Sequence, residues 1–328
     1  MSLVGTLNSG VSALKTFSQS IQVTANNISN VNTTGFKGSR AEYSDNFSDI
    51  LQRATPSAAS GVGSNQSSTA IGTGVQLAGV TSNFAQGTLT STGSNTDLGI
   101  AGGGFFRVRD TANNLDYVTR SGDFRLDDKG YLTTSDGFRV QGLSDGSATY
   151  AATSTAGSLT YTQTPTLPST IGDIKVDFSI GIGAGLTNST GGAFTDAQVE
   201  LNKPTMQSFT IDSQGNLSIG LSNGDTMTRG RVLLQNFQDP NALTRQGNNL
   251  FNGFAAGGPI GGVDLSEANN APGTNGLGRL EIGTLELSNV DLGQEFADMI
   301  VTQRSFQAGS RVITVSDSML EEVINLKR

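Results

Sequence analysis

The chain has 328 residues, a net charge of −8 and no His, Cys or Trp. Without His and Cys it lacks the commonest general base, the thiol nucleophile and most transition-metal ligands, so the composition argues against an enzyme or a metal-cofactor protein. An acidic balance with no Lys/Arg cluster argues equally against a nucleic-acid partner. No apolar run reaches the roughly 20 residues of a membrane span, and the start of the chain lacks the pattern of a cleaved signal peptide.

The first predicted element is a long amphipathic helix over residues 2–30, within an N-terminal segment 1–32. Its apolar residues recur at alternating steps of four and three, with Gly10 and Thr24 in the two gaps, which is the spacing of a coiled-coil seam. Asn and Gly residues that tolerate a left-handed helix stop follow it. The predicted seam consists of Leu3, Leu7, Leu14, Phe17, Ile21, Ile28 and Val31.

The middle of the chain is predicted to be β structure reached through a linker. Residues 33–74 end in a Ser-, Ala- and Gly-rich stretch and are predicted to be a linker or extended arm. Short alternating apolar runs bounded by Gly, Asn and Asp predict a β domain built from two parts, 75–143 and 207–286. The Ser/Thr/Gly-rich residues 144–206 between the parts are predicted to form an inserted small β domain.

Two stretches of the β region share the pattern F-x-[LI]-D-x-x-G-x-L, at residues 124–132 and 209–217. A polar turn ending in Gly predicts two hairpins of one kind. The nearby run Gly102-Gly-Gly-Phe-Phe106 lacks the spacing of a phosphate loop and predicts a tight turn before a strand. Asp127 and Asp128 do not have the spacing of a calcium loop and are interpreted as turn residues.

The last predicted element is a second long amphipathic helix within residues 287–328. Ser288 or Asp291 is its expected N-cap, and Glu295 is an early acidic residue that suits the positive helix end. Gln303, Ser310 and Asp317 interrupt its seam with polar residues. The apolar seam residues are Leu292, Phe296, Met299, Phe306, Ile313, Leu320 and Ile324.

The predicted fold class is α+β, with long N- and C-terminal helices pairing as a coiled coil and mainly antiparallel β domains between them. No other helical stretch adjoins either terminal helix to cover its seam. We therefore predict that the seams pack on each other and on further copies of the chain. Lys15, Arg304 and Arg311 are interpreted as residues of the solvated helix faces.

Several motifs then resemble the flagellar rod and hook protein family. Residues 25–37, ANNISNVNTTGFK, resemble its N-terminal signature, and residues 288–292, 299–307 and 319–327 resemble its C-terminal region. The stretch 119–126, TRSGDFRL, is similar to its β domain. The motif residues carried over by this resemblance are Asn26, Asn27, Asn30, Asn32, Thr34, Gly35, Phe36, Lys37, Asn289, Gln303 and Arg304.

The resemblance implies a structural subunit without catalytic, metal or cofactor sites. Within the family the hook subunit fits best, from residues 35–40 and the ending 324–328. A hook subunit would polymerise into a curved tube with a central export channel and act as a universal joint that passes torque from rod to filament. The distal rod subunit is the rival, because the insertion is short for a hook protein. A secreted β-rich adhesin is a third alternative.

The resemblance also implies partners and a location. The expected partners are further copies of the chain, the rod, hook-cap and hook–filament junction proteins, and the flagellar type III export apparatus. No nucleic acid or small-molecule substrate is expected. The expected location is the flagellar hook or basal body, reached by export to the cell exterior without a cleaved signal peptide.

Overall fold

The computed structural model describes residues 3–54, 67–144, 149–155, 158–162, 170–176, 181–182, 206–222, 224 and 226–326. The chain divides into two compact units. Unit 1 comprises residues 1–32, 37–85 and 289–328, and unit 2 comprises residues 33–36 and 86–288.

Both predicted terminal helices are present, and both belong to unit 1. Helix α1 spans Leu3–Ser29. It ends where Asn30 donates its side-chain and backbone N–H groups to the carbonyl oxygen of Asn26. The C-terminal helix, α4, spans Leu292–Leu326. Asp291 is its N-cap, because its Oδ1 accepts hydrogen bonds from the backbone N–H groups of the second and third residues after it. Among the described residues, no helix combines the length and apolarity needed to cross a membrane.

Helices α1 and α4 pack antiparallel through small residues. A Cβ placed on Gly10 would lie 2.8 Å from Cγ1 of Ile313, so the two backbones approach closely at this point. One turn earlier in α1, Thr6 Oγ1 lies 3.3 Å from Ser316 Oγ. Close approach of two helices requires residues this small, since larger side chains would hold the helix axes apart.

Two antiparallel ribbons also belong to unit 1: β1 (Ser39–Asp45) pairs with β4 (Val75–Ser82), and β2 (Ser48–Gln52) pairs with β3 (Thr69–Gly72). The first ribbon packs on α1, where the rings of Phe17 and Tyr43 meet edge to face and Tyr43 donates to Ser20. The segment predicted as an extended arm therefore contains three strands in its described part.

Unit 2 is built mainly of β strands with short helices. Its strands, in chain order, are β5 (Leu89–Ser91), β6 (Leu98–Ala101), β7 (Phe105–Asp110), β8 (Leu115–Thr119), β9 (Arg125–Leu126), β10 (Leu132–Thr133), β11 (Arg139–Ser144), β12 (Thr149–Thr155), β13 (Ser158–Thr162), β14 (Ile171–Asp173), β15 (Gly181–Ile182), β16 (Met206–Ile211), β17 (Asn216–Leu221), β18 (Thr226–Val232), β19 (Leu234–Phe237), β20 (Thr244–Gly247), β21 (Leu250–Asn252), β22 (Pro259–Ile260), β23 (Arg279–Ile282) and β24 (Thr284–Glu286). A 3₁₀ helix (Pro240–Ala242) and the short helices α2 (Phe254–Gly257) and α3 (Glu267–Asn270) lie between strands.

The main sheet of unit 2 runs in the order β16-β17-β18-β11-β7-β8-β21-β20 and is antiparallel throughout this path. Two further pairs, β6 with β23 and β5 with β24, join early to late segments. The buried core of this unit is formed by Leu98, Ile100, Phe106, Val108, Phe124, Leu132, Val140, Ile174, Val176, Ile211, Leu217, Val232, Leu234, Leu250, Leu277 and Leu280. The α+β class and the antiparallel sheets are thus confirmed.

Both predicted hairpins are confirmed and are built alike. In the first, Asp127 N donates to Tyr131 O and Gly130 N donates to Asp127 O; in the second, Asp212 and Gly215 make the same pair of bonds. Both turn glycines have a positive φ, 78° and 82°. The repeated pattern therefore encodes one turn geometry twice.

The predicted insertion 144–206 is described only in part. Strand β14 pairs with β11 of the main sheet, whereas β12, β13 and β15 form a small sheet of their own. Residues 145–148, 156–157, 163–169, 177–180 and 183–205 lie outside the described residues, so a separate inserted domain stays a prediction. The Gly102–Phe106 turn is confirmed, since Gly102 and Gly104 have positive φ and β7 starts at Phe105.

Candidate assembly interface

The line along which α4 meets α1 differs from the predicted seam. The buried residues of α4 are Thr302, Gly309 and Ser316, spaced seven apart. The positions expected to interrupt the seam, Gln303, Ser310 and Asp317, are each one residue further along and are exposed. Small residues make the closest contact, and Ile313 of the predicted seam packs beside them against Gly10 of α1.

The predicted apolar residues of α4 fall into two groups. Met299, Ile313 and Leu320 are half-buried beside the contact line. The others are exposed in the chain: Leu292, Phe296, Phe306 and Ile324.

In α1 the predicted residues Leu7, Leu14, Phe17, Ile21 and Ile28 are all half-buried, and the side chain of Leu3 lies outside the described set. The gap residues Gly10 and Thr24 are buried. Three more polar or small side chains of this helix are buried as well: Thr16, Ser20 and Asn27.

Asn27 connects three segments of unit 1 from a buried position. Its Nδ2 donates to Ser39 O at 2.7 Å and to Glu295 Oε1 at 2.9 Å, while its Oδ1 accepts from Ser39 N at 2.9 Å. A single amide therefore holds the end of α1 to β1 and to the first turn of α4. Burial, opposed by the bond from Asn27 and assisted by nearby Asp298, raises the pKa of Glu295.

Lys37 and Asn289 make a second polar junction in unit 1. Lys37 is only 1% exposed, and its Nζ donates to Ala85 O at 2.8 Å. Asn289 Oδ1 accepts from Gly38 N, and its Nδ2 donates to Ala85 O and Asn83 O. The bond from Gly38 N satisfies a backbone group of a buried residue, which would be costly to leave without a partner.

The motif residues 33–36 lie in unit 2. Gly35 has φ +66°, and its N–H donates to Glu286 O at 2.7 Å. A Cβ on Gly35 would lie 2.5 Å from Ser121 N, so only glycine fits here. Phe36 is buried under the guanidinium of Arg245, which lies 4.9 Å from the ring centroid.

Two further contacts of this motif also lie within unit 2. Thr34 Oγ1 lies 3.3 Å from Ser121 Oγ, and Thr34 O accepts from Asn249 Nδ2. The side chain of Glu286 forms an ion pair with Arg120 at 3.1 Å, with both side chains at most 4% exposed. Burial lowers the pKa of Arg120, although the carboxylate of Glu286 opposes that shift.

The remaining motif residues have no comparable role. Asn26 and Asn32 are exposed, Asn30 ends α1, and Gln303 and Arg304 are exposed on α4. The sequence analysis did not predict the buried contacts made by Thr302, Gly309, Ser316, Arg120 and Glu286. The seven-residue spacing of small side chains is the signal that could have indicated the three α4 residues.

One flank of α4, away from the α1 contact, carries a row of exposed apolar side chains that we name the α4 stripe. Its residues recur at steps of three, four or seven, so they share one helix face. The exposed fraction of its large side chains lies between 46% at Val312 and 85% at Leu326. The stripe consists of Val301, Ala308, Val312, Val315, Met319, Val323 and Leu326.

At one end of the stripe lies a cavity of about 510 Å³, which we name the unit 1 groove. Its walls are the C-terminal half of α1, strand β1 and the first turns of α4. Ala41, Tyr43 and Val301 give it apolar surface, while Glu295 and Asp298 line the α4 side.

Family models match three parts of the chain. "Flagella basal body rod protein" matches residues 7–37, "Flagellar hook protein FlgE/F/G D1 domain" matches 99–219, and "Flagellar basal body rod FlgEFG protein C-terminal" matches 282–326.

Proteins that align with nearly the whole chain are also named as flagellar rod or hook proteins. The flagellar basal-body rod protein FlgG of Bacillus subtilis (strain 168) is 34% identical over 326 residues, which cover 99% of this chain and 100% of that protein. FlgG of Borreliella burgdorferi is 30% identical over 312 residues, 94% of this chain and 93% of that protein. The flagellar hook protein FlgE of Rhizobium meliloti (strain 1021) is 28% identical over 437 residues, covering 100% of both chains. These relatives are structural proteins of the bacterial flagellum. The chain belongs to the family of flagellar rod and hook axial proteins.

Proposed function

We propose that this chain is a non-catalytic subunit that polymerises through its terminal helices into the axial tube of the flagellum. The α4 stripe carries the proposal. Contiguous apolar surface of this kind is expected to be covered in a stable assembly. In this proposal α1 and α4 pair as a coiled coil through the small residues seven apart, and the stripe packs on neighbouring copies. A heterologous contact that does not close builds a helical polymer.

Within the axial tube, our first candidate is that this chain is a subunit of the rod. The alignment with FlgG of Bacillus subtilis needs 326 positions for a chain of 328 residues. Alignment with the hook protein of Rhizobium meliloti needs 437 positions, so that hook protein has residues without counterparts here. The match in length to FlgG supports a rod subunit.

The hook is the second candidate and stays a prediction. Its support is that the hook protein of Rhizobium meliloti aligns with the whole chain. As a hook subunit the protein would form a curved tube that acts as a universal joint. In either position we propose export by the flagellar type III apparatus without signal cleavage, and contacts with rod, hook-cap and hook–filament junction proteins.

Polymerisation is tested by placing charge on the stripe. The double variant Val312→Asp with Val315→Asp should keep the helical circular dichroism of the monomer, because both side chains are about half exposed. It should lose sedimentable polymer, because each carboxylate would be buried without a counter-charge. The matched control is Gln307→Asp with Ser310→Asp, exposed positions of the same helix off the stripe. Polymer from the stripe variant at wild-type yield would refute the proposal.

The position in the tube is tested separately. Gold-labelled antibody on purified hook–basal bodies should mark the shaft between the rings for a rod subunit. Label on the curved segment outside the outer ring would show a hook subunit instead.

A further inference from the structure

Helix α4 has a second exposed apolar flank, formed by Leu292, Phe296 and Ile300, which we name the Phe296 ridge. These residues are four apart, so their side chains form one ridge on the helix surface. They are 39%, 50% and 59% exposed. At 100° per residue, the ridge lies roughly 120° from the line that contacts α1, and the α4 stripe lies roughly 80° from that line on its other side.

The surface of α4 therefore has four faces of different character. One faces α1, and the face opposite α1 is polar, since it carries the exposed residues Arg304, Arg311 and Ser318 at steps of seven. The two flanks between these faces are apolar. A helix that packs on one neighbour needs one apolar face. Apolar side chains on both flanks indicate a helix in a row, with another helix on each side.

The two flanks are complementary in shape. The Phe296 ridge carries large side chains, whereas the stripe has mainly Ala and Val in two adjacent rows with steps of four, 308–312 and 315–323. Such rows leave a shallow groove between them, which we name the stripe groove. A ridge with steps of four that enters a groove between rows of the same step gives a helix crossing angle of about 50°.

One contact of this kind is small for a stable pair of copies. At roughly 200 Å² for a fully exposed large apolar residue, the ridge and the stripe groove would together lose about 600 Å² of exposed surface. A stable interface needs about 1,000 Å². Because the ridge and the groove are different surfaces of one helix, every inner copy of a polymer would make the contact twice. The area therefore favours a polymer over a dimer.

We propose that the Phe296 ridge of one copy packs into the stripe groove of the next copy. Phe296 lies between Val312 and Val315 of the neighbour, and Ile300 lies beside its Met319. Copies around a tube differ by a small rotation, so the two α4 helices run in the same sense. The contact joins two different patches, so it is heterologous and repeats from copy to copy. The inference rests on the proposed polymerisation and adds which surface covers the stripe.

The crossing angle limits the length of the contact. Two helices that cross at about 50° separate within about two turns of the point of contact. The helix that carries the ridge therefore leaves its neighbour before Gln307 and Ser310, and these two positions stay outside the interface.

Disulfide cross-linking tests the contact directly, because the natural chain has no Cys. Ile300→Cys and Met319→Cys lie 19 positions apart on one helix, about 28 Å at 1.5 Å per residue, so they cannot bridge within one chain. We expect polymers of this double variant, on mild oxidation, to give a ladder of linked species, with the 300–319 peptide pair identified by mass spectrometry. The matched control is Ile300→Cys with Ser318→Cys, an exposed neighbour that points to the polar face, and it should give no 300–318 pair.

A charge pair provides a second arm that does not depend on oxidation. Ile300→Glu should raise the critical concentration for polymerisation roughly tenfold or more, because its carboxylate would be buried among apolar side chains. Adding Met319→Lys should bring this concentration back to within roughly threefold of the natural value, since the two charges of neighbouring copies would pair. Ser318→Lys in place of Met319→Lys should not restore it. Circular dichroism at 222 nm checks that each monomer keeps its helices.

The outcomes separate this contact from the proposed function. Polymers without a 300–319 cross-link, or no recovery with the charge pair, would overturn the contact and leave polymerisation standing. A 319–319 cross-link would also overturn it, because two stripes would then face each other. Normal polymers from the variant Val312→Asp with Val315→Asp would instead refute the proposed function.

Discussion

Lys37 and Asn289 donate hydrogen bonds to the same carbonyl oxygen, that of Ala85, at 2.8 and 2.9 Å. The three residues come from segments that are far apart in the chain, and all belong to unit 1. Family-motif residues at both ends of the sequence thus meet at one backbone group. Their role in this unit is structural, because they join segments that are distant in the chain through hydrogen bonds to backbone groups.

The side chain of Asn289 should matter more to unit 1 than its partial exposure suggests. Asn289→Ala removes the bonds to Gly38 N and to the carbonyl oxygens of Asn83 and Ala85, of which Ala85 O keeps its bond from Lys37. We expect a loss of about 1–3 kcal/mol in the free energy of unfolding. Urea titration followed at 222 nm measures it, since both long helices lie in unit 1. Asn32→Ala, at an exposed motif position, should change the midpoint little.

Gly35 should not tolerate a side chain. Gly35→Ala combines positive φ with overlap against the backbone of Arg120 and Ser121, and we expect a loss of about 2 kcal/mol or more. Gly137→Ala is the matched control, because Gly137 has φ +87° but no atom within 4 Å of the added Cβ. It should cost only the conformational strain, about 1–2 kcal/mol. Calorimetric unfolding of both variants measures the difference; equal losses would contradict the steric argument.

Replacing each of the two glycines of the α1–α4 contact by Ala should change the stability of unit 1 in opposite directions. Gly10→Ala would bring Cβ within 2.8 Å of Ile313 and should destabilise the pair. Gly309→Ala meets its nearest atom, Leu14 Cδ2, at an ordinary 3.5 Å. It should raise stability by about 0.5–1 kcal/mol through helix propensity. Thermal unfolding at 222 nm tests the sign of each change.

The carboxylate of Asp116 should make the free energy of unfolding of unit 2 depend on pH in the acid range. Although burial opposes ionisation, hydrogen bonds from Arg109 and Arg107 hold the pKa of Asp116 below its ordinary value. A lowered folded-state pKa stabilises the fold above the unfolded-state value near 3.8, and this stabilisation is lost as pH falls through the folded-state pKa. Asp116→Asn should therefore be less stable at neutral pH, by about 1–3 kcal/mol.

Below pH 4, the free energy of unfolding of Asp116→Asn should fall less than that of the natural chain. Calorimetry between pH 7 and pH 2 measures how steeply the free energy of unfolding of each protein falls with pH. Asp136→Asn, exposed on the Thr134–Phe138 turn, is the control. Parallel curves for Asp116→Asn and the natural chain would contradict the prediction.

Local sequence signals predicted the elements that depend on neighbouring residues. The extent of α1, the two candidate caps of α4, of which Asp291 is the one used, and the two hairpins follow from caps, periodicity and turn glycines within a few residues of each other. Strands β1, β2 and β3 were missed because β1 pairs with β4 and β2 with β3 across residues that are distant in the chain, which local patterns do not report.

The sequence by itself determined two long amphipathic terminal helices, a β-rich middle and a family signature, since each is written in short-range patterns. Tertiary structure alone decided that the small residues Thr302, Gly309 and Ser316 are the buried residues of α4 in its contact with α1. It also decided that motif residues from both chain ends share the carbonyl of Ala85. Which helix face is covered depends on how closely two backbones approach, and that distance is set by packing between segments far apart in the chain.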